Sequence, residues 1–174
     1  MRKIISLLFV VSASISFAEE RKACVFCEIA AGKIQASQVV YRDESVVAFM
    51  SHGARNPGHV LIVPKEHADG IIDVPSSALA YMAEVAQLIV RAIKRTDLKA
   101  DGFNLQSNTG EAAGQTVFHL HLHVIPRFKG ELPTSPSVSE KKPAPAAELD
   151  EVAQKLRLAL KKEPNKKRNV DNLK

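Results

Sequence analysis

The chain has 174 residues, 45% hydrophobic and 25% charged, a composition that suits one domain with a single core and excludes a wholly disordered polymer. Its net charge of +5 invites a nucleic-acid reading, but residues 19–128 carry 11 Lys and Arg against 12 Asp and Glu, while residues 129–174 carry 11 against 7. The basic excess therefore lies in a tail and not on the domain, where a duplex binder needs it, and aromatic residues at 5% with no Trp are too few to stack single strands.

Along the chain, Met1, Arg2 and Lys3 precede an apolar run from Ile4 and small residues ending at Ala18. This is the pattern of a cleavable secretory signal over 1–18, which predicts export to a periplasm or beyond. The run is too short to span a bilayer comfortably. Residues 19–128 form the expected domain. Within it, 24–31 reads as a short helix closed by Gly32, followed by strands over 38–42 and 45–50 separated by Asp43-Glu44. The apolar run ending in Pro64 predicts a third strand over 59–64, buried on both faces. Pro75-Ser76-Ser77 opens the longest helix, with Leu79, Met82, Ala86, Ile89 and Ile93 at helical spacing and Gly102 as its expected cap. A fourth strand is expected over 103–106, a Gly-containing loop over 107–116 and a fifth strand over 117–127. Short connections favour an antiparallel sheet with a helix on one face, hence α+β. Past Phe128 the prolines 133, 136, 143 and 145 mark a linker, 146–160 an amphipathic helix docking through Leu149, Val152, Leu156 and Leu160, and 161–174 a basic end. Whether that end touches a membrane stays open.

The run His119-Leu120-His121-Leu122-His123 holds half of the six histidines of the chain. Alternation puts the three imidazoles on one face of a strand and Leu120, Leu122 and Val124 on the other. Imidazole serves as nucleophile, proton carrier or metal ligand near neutral pH. A histidine-rich surface strand and a structural metal clip are the plainer alternatives.

The order and spacing of four motifs resemble the histidine-triad (HIT) superfamily of nucleotide hydrolases and transferases. They are Cys24-Val25-Phe26-Cys27-Glu28-Ile29; Pro57-Gly58-His59-Val60-Leu61-Ile62-Val63-Pro64-Lys65-Glu66-His67; Asn108; and Gly114-Gln115-Thr116-Val117-Phe118 running into the triad. The resemblance covers about 24–127 and implies a HIT-like α+β fold, a five-stranded antiparallel sheet with one long and one short N-terminal helix, and a homodimer sharing a continuous sheet.

By the same resemblance, His121 is the nucleophile that attacks an α-phosphorus and forms a covalent nucleotidyl-histidine, with its tautomer fixed by the main-chain carbonyl of His119. His123 contacts the phosphate oxygens, and His59 supports the triad. Asn108, Gly114, Gln115 and Thr116 face the phosphate and leaving group. Phe26 and Ile29 match positions that sandwich the base, or serve as plain core. Where many members carry an acidic residue for the ribose hydroxyls, this chain has Ser51, which cannot make the bidentate, charge-assisted pair.

For Cys24 and Cys27 three readings stand: a structural zinc site completed by His67 and His119, as in bacterial relatives, a disulfide, or a redox pair. Zinc is preferred, and no cofactor is required for the chemistry. The substrates implied are nucleoside phosphoramidates or dinucleoside polyphosphates. The competing functions are a hydrolase whose triad itself binds a catalytic zinc, and a non-catalytic nucleotide-binding module.

Overall fold

The structure, a computed structural model, describes residues 24–33, 38–53, 56–130 and 144–162. The expected signal segment, nearly all of the proline-rich linker and residues 163–174 lie outside that set. The order is α1 (Val25–Ala30), β1 (Val39–Arg42), β2 (Val46–Met50), β3 (Val60–Pro64), α2 (Ser76–Lys94), β4 (Gly102–Gln106), β5 (Leu122–Arg127) and α3 (Ala146–Leu160). One-turn 3-10 helices at Ile71–Asp73 and Glu111–Ala113 interrupt the two long loops. None of the described helices is long and apolar enough to cross a membrane.

The five strands form one antiparallel sheet in the order β1-β2-β3-β5-β4, so the architecture is α+β, as expected. β1 and β2 are joined tightly because the Asp43 carboxylate accepts the N–H groups of Ser45 and Val46 at 2.7 and 2.9 Å. β2 and β3 are buried throughout, and their alternating side chains feed two cores. Val46, Ala48, Met50, Val60 and Ile62 join Met82, Ala86, Ile89 and Ile93 of α2 and Leu149, Val152 and Leu156 of α3. Val47, Phe49, Leu61 and Val63 meet Phe26 and Ile29 of α1. Both faces are thus covered, where only one was expected to carry a helix. α3 has the bounds read from its pattern, and Ala153 and Ala159 also belong to its buried side, while Leu160 is half-buried.

Two expectations are corrected. Gly102 is no helix cap: α2 ends at Lys94, where Thr96 donates its hydroxyl to the Ile93 carbonyl and its Oγ1 accepts the N–H of Leu98, and Gly102 instead opens β4. The fifth strand starts at Leu122, not at residue 117, because its pairing with β3 begins at Ile62↔Leu122. Upstream, the N–H of Leu120 donates to the Ala68 carbonyl at 2.6 Å and that of His119 to Val117 at 2.9 Å.

Candidate active site

The site lies on the α1 side of the sheet. Leu120 enters the core beneath α2, so its neighbours His119 and His121 face the other way, where the Phe26 ring meets both edge-on at centroid separations of 5.9 and 5.4 Å. His123, opposite Leu61 of β3 and Gln106 of β4, follows at 4.8 Å from the His121 ring. Alternation thus holds through the triad, although only Leu122 and His123 of it lie in the paired strand.

Three main-chain or carboxylate acceptors fix three histidine tautomers. His121 Nδ1 is 2.7 Å from the carbonyl oxygen of His119. A carbonyl only accepts, so Nδ1 carries the hydrogen and the lone pair of the neutral ring is on Nε2. His119 Nε2 in turn donates to the Pro64 carbonyl at 2.9 Å, which leaves its Nδ1 free. His67 Nε2 donates to the Asp69 carboxylate at 2.9 Å, which also frees Nδ1. Complete burial pushes the His119 imidazole below the ordinary histidine range despite the opposing bond to Pro64, so it is held neutral. His59, 2% exposed, places Nε2 2.9 Å from Nδ1 of His123, one of the two donating.

The freed Nδ1 atoms converge with two unbridged thiols. Cys24 Sγ is 3.4 Å from Nδ1 of His119, and Cys27 Sγ is 3.5 Å from that atom and 3.2 Å from Nδ1 of His67. All four donor atoms lie within 4.8 Å of one another. Tetrahedral zinc, with its ordinary bond lengths to S and N, sets ligand atoms roughly 3.4–3.8 Å apart. Two soft sulfur donors, two imidazole nitrogens and acceptors behind both rings make a donor set that fits structural zinc. His121 and His123 do not belong to this group, which is the one set of metal-ligating residues that converges among the described residues. The triad face is therefore not assembled as a metal-binding set of three.

The loop before the triad is built on Gln115. Its side chain, 3% exposed, donates to the carbonyls of Asp69 at 2.5 Å and Val117 at 3.2 Å and accepts the Gly110 N–H at 2.7 Å. The Gln115 amide thus braces the loop. Gly114 has φ +83°, a left-handed turn that suits glycine. Its carbonyl accepts from Asn108 at 3.4 Å, and Asn108 accepts from Gln106 at 2.8 Å. Thr116 is exposed. Phe26 and Ile29 are buried in the α1 core, and Ser51 is buried at the end of β2 with its N–H on the His59 carbonyl at 2.9 Å. Sequence reasoning missed Asp69, Pro64 and Ser107, whose hydroxyl donates to the His121 carbonyl at 2.9 Å. The spacing His67-Ala68-Asp69, a carboxylate two residues past a candidate ligand, was the available signal.

The model of the HIT domain matches residues 33–130. A HIT-like protein of Methanocaldococcus jannaschii is 42% identical over 108 residues, 62% of this chain and 81% of that one. The adenylylsulfatase HINT3 of Arabidopsis thaliana is 38% identical over 104 residues, 60% of this chain and 52% of that one. Among solved structures, a Zn-bound histidine triad family protein from Mycobacterium smegmatis superposes with a TM-score of 0.68 at 38% identity, covering 80% of this chain and 94% of its own. The family match spans more than half of the chain, the relatives are similar in sequence and in fold, and the chain belongs to the histidine-triad, or HIT, family.

Proposed function

We propose that the chain is a nucleotide hydrolase or transferase in which Nε2 of His121 attacks the α-phosphorus of a nucleoside phosphoramidate or dinucleoside polyphosphate. The observation that carries this reading is the 2.7 Å bond from His121 Nδ1 to the His119 carbonyl, which puts the ring's lone pair on Nε2. In the first step the N–P bond forms, and the P–N or P–O bond to the leaving group breaks. The leaving group departs with the bonding pair and takes up a proton. Water then attacks the nucleotidyl-histidine and gives a proton to solvent, which balances the one taken up by the leaving group; the O–P bond forms, the N–P pair returns to His121, and the nucleoside monophosphate leaves. His123, braced by His59, is adjacent for the phosphate oxygens on which charge gathers.

Support for a leaving group bound to a nucleotide through an activated phosphate also comes from the relative named an adenylylsulfatase. A nucleotidyl sulfate therefore belongs among the substrates tested. Cys24, Cys27, His67 and His119 would hold zinc, which when bound braces the N-terminal helix against the triad and supplies no step of the reaction.

The test is to mix the chain with adenosine 5′-phosphoramidate, a diadenosine polyphosphate and adenylyl sulfate, quench early in alkaline denaturant and seek a nucleotidyl adduct by peptide mass spectrometry. The adduct is expected on His121, and His121→Ala should lower turnover by about 10³-fold or more. Turnover with no adduct and an active His121→Ala variant would defeat the reading. Nucleotide binding without turnover in either protein would favour a binding module.

A further inference from the structure

We propose that Asp69 is a positioning residue of the Cys24/Cys27/His67/His119 centre, orienting His67 through its carboxylate and joining the centre to the 110–116 loop through its main-chain carbonyl. This rests on the reading that the centre takes zinc. The Asp69 and His67 side chains are 66% and 29% exposed, so as a plain ion pair their contact is worth little. Its value is directional. The carboxylate, 2.9 Å from His67 Nε2, holds the hydrogen on that nitrogen and presents the lone pair of Nδ1 toward Cys27, 3.2 Å away. A carboxylate behind a ligating imidazole also raises its basicity and limits ring rotation, which strengthens metal binding.

The short segment carrying both residues is pinned between two parts of the site. Ala68 is buried and its carbonyl takes the N–H of Leu120, inside the triad, at 2.6 Å. One residue on, the Asp69 carbonyl takes the Gln115 amide at 2.5 Å, and Gln115 accepts the Gly110 N–H. A shift of Asp69 therefore moves the His67 ring and the loop brace together. Coupling of this kind is reciprocal, so a metal at the centre restrains the loop as much as an ordered loop favours the metal.

The experiment uses the full chain as wild type, Asp69→Asn and Asp69→Glu, with zinc affinity measured by competition against a chromogenic chelator. Asp69→Asn should bind zinc about 10- to 100-fold more weakly, and Asp69→Glu should recover part of the loss. Cobalt(II) should give the thiolate-to-metal absorption in all three, since no ligand is removed. Zinc should slow hydrogen exchange over 110–117 in the wild type, and less so in Asp69→Asn. Equal affinities for wild type and Asp69→Asn would overturn the role of Asp69 and leave the metal reading standing. A wild type that binds no zinc would overturn both. An Asp69→Asn protein destabilised equally with and without metal would reduce the residue to an ordinary structural one and overturn the proposal. The adduct assay on His121 tests the catalytic reading independently of each outcome.

Discussion

Gly58 occupies a position that no other residue fills well. Its φ of +82° lies in the left-handed region, and a Cβ there would come within 2.9 Å of Leu98 Cδ1 and 3.2 Å of Pro126 Cγ. The next residue is His59, whose ring meets His123, so strain at Gly58 is transmitted to the site. Gly58→Ala is expected to destabilise the fold by about 1–3 kcal/mol, read as a lower urea midpoint. An unchanged midpoint would show that the turn relaxes freely. At this scale the alternation His119 to His123 could be read from sequence because a side chain's face depends only on its parity along an extended chain. The bond that joins Asp69 to Gln115 could not. Their contacts with His67 and Val117 are local, two residues away, but their contact with each other spans 46 residues and is set by how two loops meet.

The β1–β2 turn and α2 are fastened by one carboxylate. Asp43 accepts from the hydroxyls of Tyr41, at 2.9 Å, and Tyr81 of α2, besides the N–H groups of Ser45 and Val46. Burial opposes ionisation, but these donors together outweigh it and hold the Asp43 carboxyl below its usual range. Burial and the same carboxylate push the Tyr81 hydroxyl upward. For a depressed carboxyl the stabilisation is complete above the unfolded value, about 3.9, and is lost as pH falls through the folded one. The melting temperature of the wild type should therefore exceed that of Asp43→Asn near neutrality, with the gap closing as the pH drops from about 5 toward 2. A gap independent of pH would assign the stabilisation to shape rather than charge. Local pattern was enough to bound α3, because its apolar stripe repeats within its own length. It was not enough for β5, whose first residue depends on where β3 offers a partner, nor for Gly102, which resembles a cap in sequence yet pairs with Arg127 in the sheet.

In the whole molecule, the four metal donors come from α1 and the residue that precedes it, from the segment after β3 and from the segment before β5. An ion there would cross-link three parts of the chain. The zinc reading predicts that chelation lowers the melting temperature, since metal at 100 times its Kd contributes about 2.7 kcal/mol. Turnover should persist at temperatures where the metal-free fold survives. Its disappearance there would assign the ion to the chemistry. The two-sided sheet carries a last consequence. Neighbouring residues of β3, and of the run that ends in β5, serve different interiors, one packed by helices and one bearing imidazoles. A single-residue insertion or deletion in these stretches would exchange the occupants of the two, while a change of two would restore them. An odd step in the strands that carry the chemistry thus needs a bulge to absorb it, as the break in register between Val39 and Tyr41 does in β1, whereas an even step does not.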